Sequence, residues 1–244
     1  VYAVARLHME GLVWSAAGDF VNDERTGFPT EQSDLAALEK AYKYLQDAYY
    51  TFNDGKGIAP DASMNMTGDA TTLFAQEMVA TVIAGSWELA TIQGNSFDWD
   101  IAYVPAFEAA PTKNAWSGSV SYAIYSGIAP EKLEAAWKLV EYIGSPEGQE
   151  ILSATGFQFP IYESIASSEE YLATYENSKP SNYEVFLKSA AEQPAGTWMY
   201  NQSNQWKELS YDTLTANLLD SDQGARWTVS HFLDECRKVV DQYI

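Results

Sequence analysis

The 244-residue sequence has one cysteine, Cys236, and two histidines, His8 and His231. A single thiol forms no disulfide within the chain, and so few Cys and His side chains assemble no zinc cluster. Cysteine poverty fits a cytosolic protein or a bacterial exported one. Positive charge is also scarce: 14 Lys and Arg face 34 Asp and Glu, a formal net charge of −20. Such a surface repels phosphate backbones and anionic membrane faces, which argues against nucleic acid and membrane-surface partners. No apolar run approaches the roughly 20 residues of a membrane-spanning helix, so no direct membrane insertion of this segment is expected. No signal peptide opens the chain, which starts at Val1 and not at Met, so the numbering is expected to begin inside a longer natural protein.

The common catalytic signatures are missing as well. There is no GxSxG elbow, no GxxxxGK(S/T) phosphate loop, no HExxH and no GxGxxG after a strand. Cys236 falls on the apolar stripe of a helix and reads as a core thiol, not a nucleophile. His231 neighbours that stripe and His8 lies near the start; both read as structural. Asp220-Ser221-Asp222-Gln223-Gly224 is similar to a calcium loop, but Ala225 stands at its sixth position and His231 at its twelfth, where Gly and Glu are needed. It reads as a helix–helix turn. The 34 acids offer many carboxylate pairs for glycoside hydrolysis, but none is singled out by its surroundings. No catalytic residue, metal ligand or cofactor is therefore assigned, and a carbohydrate-active hydrolase stays as the competing enzyme reading.

What the sequence does have is aromatics: eight Trp and 16 Tyr. Each pairs a broad apolar face with a polar tip, which suits a wet, ligand-facing surface as well as a core. Periodicity predicts a first long helix over 31–52, with Leu35, Leu38, Tyr42, Leu45, Tyr49 and Phe52 on one face and Thr30 or Ser33 as cap. A short helix over 70–76 follows, with Asp69 at its start. Residues 79–84 read as a buried strand, 99–104 as a second, and 120–125 alternate as a half-buried third. The clearest helix is 130–143, with Pro130 at its first position, a stripe of Leu133, Ala136, Trp137, Val140 and Ile143, and Gly144 at its end. Another starts at Ser145-Pro146-Glu147 and ends at Gly156, and further helices are expected over 168–176, 181–191, 204–219 and 227–243. Strands followed by helices make this an α/β chain. Trp99, Trp137 and Trp227 sit in periodic contexts and read as core.

The segment Leu73-Phe74-Ala75 through Gly85-Ser86-Trp87-Glu88-Leu89 resembles the bacterial extracellular solute-binding proteins of the sugar-binding family 1 type. These carry a helix ending in Phe-Ala, a strand, then Gly-Ser/Pro-Trp. Further matches follow in the family's order: Trp14-Ser15-Ala16-Ala17-Gly18, Phe97-Asp98-Trp99-Asp100 leading to Pro105, Tyr122-Ala123-Ile124, Ala135-Ala136-Trp137, Ser145-Pro146-Glu147-Gly148-Gln149 and Phe159-Pro160. Together they cover Leu12 to Pro160. Glu77 departs from the family's Gly, Thr81 from its frequent Met, and Ala17 from the first Gly of a Gly-Gly pair; all three are scaffold positions. Family members also carry a far longer stretch before the segment matched at Trp14.

The resemblance implies a periplasmic-binding-protein-like (type II) architecture of two α/β lobes closing on a ligand, here mainly the C-terminal lobe plus the crossing segment of the N-terminal lobe. Residues 1–108 and 160–244 would form the C-terminal lobe and 116–158 part of the incomplete N-terminal one. Signal peptide and lipid-anchored cysteine would lie outside this chain, and the segment 120–125 and helix 130–143 would lack their main packing partners. The implied function is capture of a mono- or oligosaccharide, by hinge closure, for the permease subunits of an ABC importer, outside the cell as a lipid-anchored or periplasmic protein. The same fold binding a peptide, polyamine or metal complex is a third reading.

Sugars have apolar C–H faces and a rim of hydroxyls, so a site needs aromatic plates and hydrogen-bonding groups. Trp87, placed after a strand and a Gly, is the leading ligand-binding candidate; its plainer role is to cap a lobe core. Glu88 is the adjacent polar candidate, though it also suits a solvated helix start. Trp116, Ser117 and Gly118 lie in the crossing segment, where the family often puts cleft residues. Trp206 falls where sugar-binding relatives place a late aromatic, or else begins an amphipathic stripe with Leu209. Tyr200 and Trp14 complete the candidate set.

Overall fold

The structure, a computed structural model, describes residues 1–7, 9–60, 69–107, 121–154, 158–173, 175, 179–192, 205–219 and 226–244. Its main elements are β1 (Tyr2–Ala5), α1 (Met9–Ser15), α2 (Gln32–Tyr50), α3 (Ala70–Ala75), β2 (Val79–Val82), α4 (Pro130–Ile143), α5 (Pro146–Ser153), α6 (Glu184–Glu192), α7 (Thr213–Leu219) and α8 (Val229–Tyr243). They fall into two compact units. Unit 1 comprises Val1–Ile83, Tyr103–Ser117 and Ser189–Ile244; unit 2 comprises Ala84–Ala102 and Gly118–Lys188.

Unit 1 is built on α2 and α8. On α2 the buried residues are Ala37, Leu38, Ala41, Tyr42, Leu45 and Ala48, and on α8 Val229, Phe232, Leu233, Cys236 and Val240. Both sets recur at spacings of three and four, so each helix has one continuous apolar stripe to bury. Tyr42 meets Phe232 at 4.5 Å between ring centroids and stacks on Tyr211 at 6.1 Å. The Tyr211 hydroxyl donates to the Phe20 carbonyl at 3.0 Å, which satisfies a buried polar group inside this cluster.

One helix was expected over 204–219; in its described part, 205–219, a π-helical turn, Glu208–Asp212, separates Gln205–Lys207 from α7. The wider turn brings residues five apart onto one side, so Trp206 and Tyr211 both enter the core. The hydroxyls of Ser210, Thr213 and Thr215 donate to the carbonyls of Trp206, Glu208 and Tyr211 along this segment.

The sheet differs most from expectation. β2 does form, but its partner is β1, which periodicity did not reveal; the two run parallel with Tyr2 opposite Val79 and Val4 opposite Thr81. α3 covers one face through a cluster of Ala5, Ala70, Leu73 and Val79; Ala80, on the opposite face, is exposed, and Thr81 beyond the cluster is exposed as well, so the strand is not buried throughout. Residues 99–104 and the described part of the third expected strand, 121–125, form no strand. Around 101 the reason is visible: side chains occupy the backbone groups that a ladder would use. The Asp100 carboxylate accepts from the N–H groups of Ile101 and Asn182, and the Asn182 amide donates to the Ile101 carbonyl at 3.2 Å.

In unit 2, Phe159, Tyr171, Tyr175, Tyr183 and Phe186 form an aromatic cluster, with the Tyr175 and Tyr183 rings stacked at 3.6 Å. α4 has the predicted bounds and Pro130 at its start, yet none of its residues is buried. Trp137 is 59% exposed and so is not core, whereas Trp99 is buried and Trp227, in unit 1, partly so.

Caps follow the local chemistry. Ser145 and Thr228 accept from the N–H of Gly148 and His231, each at 3.2 Å, and so cap α5 and α8. Neither Thr30 nor Ser33 caps α2: Glu31 holds the capping position without a side-chain bond, and Ser33 already lies in the first turn. Asp69 precedes α3 as expected, but its carboxylate pairs with Arg6 instead. Gly144 ends α4 in a right-handed conformation (φ −80°). No described helix is long and apolar enough to cross a membrane. The calcium-like segment 220–225 lies outside the described residues.

Candidate functional site

After β2, the chain passes through an extended Gly85 into a short 3-10 turn, Ser86–Glu88, that leads into a single helical turn, Leu89–Ile92. The Glu88 N–H donates to the Gly85 carbonyl at 3.1 Å and closes it. At about three residues per turn, positions 86 and 89 share a side. Ser86, Leu89 and Ile92 are buried, and burying them turns residue 87 the other way. Trp87 is 41% exposed as a result, with Glu88 half-buried beside it. These two candidates therefore sit together on one turn of unit 2, anchored by the residues on either side.

Trp14 and Trp206 are placed differently, and both expectations need correction. Trp14 lies on α1 between Val13 and Ser15, only 5% exposed, with Nε1 donating to Asp19 at 3.4 Å. Trp206 is 1% exposed and edge-on to Tyr211 at 6.4 Å between ring centroids. Both belong to the hydrophobic core of unit 1, so neither has a ring face free for a ligand. The physical reason is neighbourhood: Leu12, Val13 and Tyr211 carry these rings inward. Buried Trp206 leaves its Nε1–H without a hydrogen-bond partner among the described residues. Trp116, Ser117, Gly118 and Tyr200 lie outside the described residues.

The groups that could perform chemistry are dispersed. Cys236 is fully buried in the unit 1 core, and burial pushes its thiol well above the usual range, with Asp212 and Glu235 adding to the effect. His231 is exposed on α8, its Nδ1 4.0 Å from Glu235. The Asp34 carboxyl is raised above its ordinary value, first by burial and then by the charges of Asp23, Asp19 and Glu31. Burial, with like-charge crowding at the start of α2 added to it, accounts for that shift without a catalytic role. Among the described residues no three His, Cys, Asp or Glu side chains cluster to hold a metal ion.

Sequence reasoning missed one buried charged group. Lys207 in unit 1 has its ammonium 3.0 Å from Glu10 Oε1 and 2.8 Å from Asp212 Oδ1. A lysine read from sequence alone is a surface residue, and nothing local marks this one as buried.

Comparison with known proteins bears on the family and the fold. A search of curated protein sequences gives no match. Three solved structures share the fold, each aligned over 99% of this chain. An ABC substrate-binding protein of Listeria monocytogenes in complex with cycloalternan is 18% identical with a TM-score of 0.71. UgpB of Mycobacterium tuberculosis in complex with glycerophosphocholine is 18% identical with a TM-score of 0.72. The maltose/maltodextrin-binding domain MalE of Bdellovibrio bacteriovorus bound to maltotriose is 14% identical with a TM-score of 0.70. The chain spans only 58–59% of those proteins' length. The fold is that of a type II periplasmic binding protein, seen here in part. The sequence pattern of one family, described as bacterial extracellular solute-binding proteins, matches residues 8–179, and the chain belongs to that family.

Proposed function

We propose that the chain is the larger part of a carbohydrate-binding protein that captures a mono- or oligosaccharide outside the cell for an ABC importer. The observation that carries the reading is Trp87, a large aromatic ring left 41% exposed on a turn anchored by buried Ser86, Leu89 and Ile92. An indole face suits the C–H face of a sugar ring, and Glu88 beside it suits a hydroxyl. Two of the proteins of similar fold were solved with saccharides, cycloalternan and maltotriose.

In this reading the protein is not an enzyme. Residues 1–108 with 160–244 and residues 116–158 belong to two lobes that close on the ligand about a hinge, and the closed form docks on the permease subunits. Trp116, Ser117, Gly118 and Tyr200 remain proposed ligand contacts, and a lipid anchor or periplasmic location is proposed with them.

A cationic ligand is the second reading. A protein of similar fold holds glycerophosphocholine, and an exposed indole beside a carboxylate on an acidic chain also suits a quaternary ammonium or polyamine. A thermal-shift and calorimetric screen of saccharides, glycerophosphocholine and spermidine on the full-length natural protein separates the two. Saccharide binding without glycan turnover supports the first reading. Turnover, abolished by changing one carboxylate while binding persists, would establish a hydrolase instead.

A further inference from the structure

Gly85 stands two residues before Trp87 with φ −101° and ψ 173°, an extended conformation open to any residue. Backbone freedom therefore does not explain a glycine at this position. Space does. A Cβ on residue 85 would run into the six-membered ring of Trp87, at Cη2, Cζ3 and Cε3. The indole folds back over its own chain and lies on the bare Gly85 backbone, with 41% of the residue still exposed. A ring lying against backbone has fewer rotamers open to it than one standing free.

We infer that Gly85 is a positioning residue for the carbohydrate site: its missing side chain is the seat that sets the Trp87 ring before a ligand arrives. The inference rests on the carbohydrate reading above. Ordering the ring in advance removes part of the entropy cost of binding, so the glycine acts on affinity through Trp87 and not by touching the sugar. The atoms that a Cβ would strike are the far end of a side chain. Gly85→Ala therefore swings the ring aside and leaves the backbone in place.

The test uses the full-length natural protein labelled with 5-fluorotryptophan. The fluorine resonance lost in Trp87→Phe is that of Trp87. In Gly85→Ala that resonance shifts while the other tryptophans stay in place, the melting temperature holds, and the Kd for maltotriose rises at least about tenfold. In a Trp87→Ala background, Gly85→Ala causes no further loss of affinity. An unmoved Trp87 resonance overturns the seating. A moved ring with unchanged affinity, an equal loss in the Trp87→Ala background, or collapse of the whole spectrum overturns the positioning role. If the wild-type protein binds no saccharide at all, the carbohydrate reading itself fails, whereas the resonance still reports whether Gly85 seats the ring.

Discussion

Lys207 carries a positive charge into the core of unit 1, over the Phe20 ring at 5.4 Å and between Glu10 and Asp212. Burial alone would lower its pKa, but the two carboxylates outweigh it and the group is raised above its ordinary 10.5. A folded-state pKa above the unfolded one gives stability that is fully present below about 10.5 and is lost only as pH rises through the folded value. Lys207→Met leaves the buried Glu10 carboxylate without its cation. Chemical denaturation should show a loss of about 3 kcal/mol that stays flat between pH 6 and 9. A loss that fades across that range would assign the effect to another group. Cys236 makes a second residue-scale test. Its buried thiol, with its pKa pushed up, should react with a disulfide reagent only after the chain is unfolded. Cys236 was legible as core because its neighbours on the helix recur every three or four residues. Lys207 was not, because its partner Glu10 lies near the opposite end of the sequence. Trp14 and Trp206 misled for a related reason, since an indole's composition is the same in a cleft and in a core.

Helices were more legible than strands. A helix satisfies its backbone from within, so the Pro130 start and the Gly144 end sufficed to bound α4 as observed. A strand depends on a partner, and alternation over 120–125 predicts half-burial without naming one. β1 was missed for the same reason: its four residues pair with β2, more than seventy positions later. What periodicity does not tell is whether an apolar stripe is covered. Phe232 on α8 is fully buried, whereas Leu133 and Trp137 on α4 are 49% and 59% exposed. Phe232→Ala should therefore cost about 3–5 kcal/mol and Trp137→Ala in this chain no more than about 0.5, measured by urea denaturation. Equal costs would contradict the described packing. Thr228→Ala, which removes the cap of α8, should cost about 1 kcal/mol by the same measurement.

At the scale of the molecule, a net charge of −20 pushes the folded chain apart. Raising ionic strength from 0.01 to 0.15 M shortens the screening length from about 30 to about 8 Å. The melting temperature should rise over that interval; a fall would mean that attractive pairs outweigh the repulsion. Family membership was legible in the order of short motifs around Trp87, and the matched region 8–179 contains them. The ligand was not legible, because a binding site is shaped by residues from distant parts of the chain. The central claim is that Trp87 is a plate for a saccharide. Isothermal titration calorimetry of the full-length natural protein and of Trp87→Ala against saccharides, maltotriose among them, tests it most directly. The account predicts a saccharide whose affinity falls at least about tenfold, about 1.4 kcal/mol, in Trp87→Ala with the melting temperature unchanged. Equal affinity in the two proteins, or binding of no saccharide by either, would contradict it.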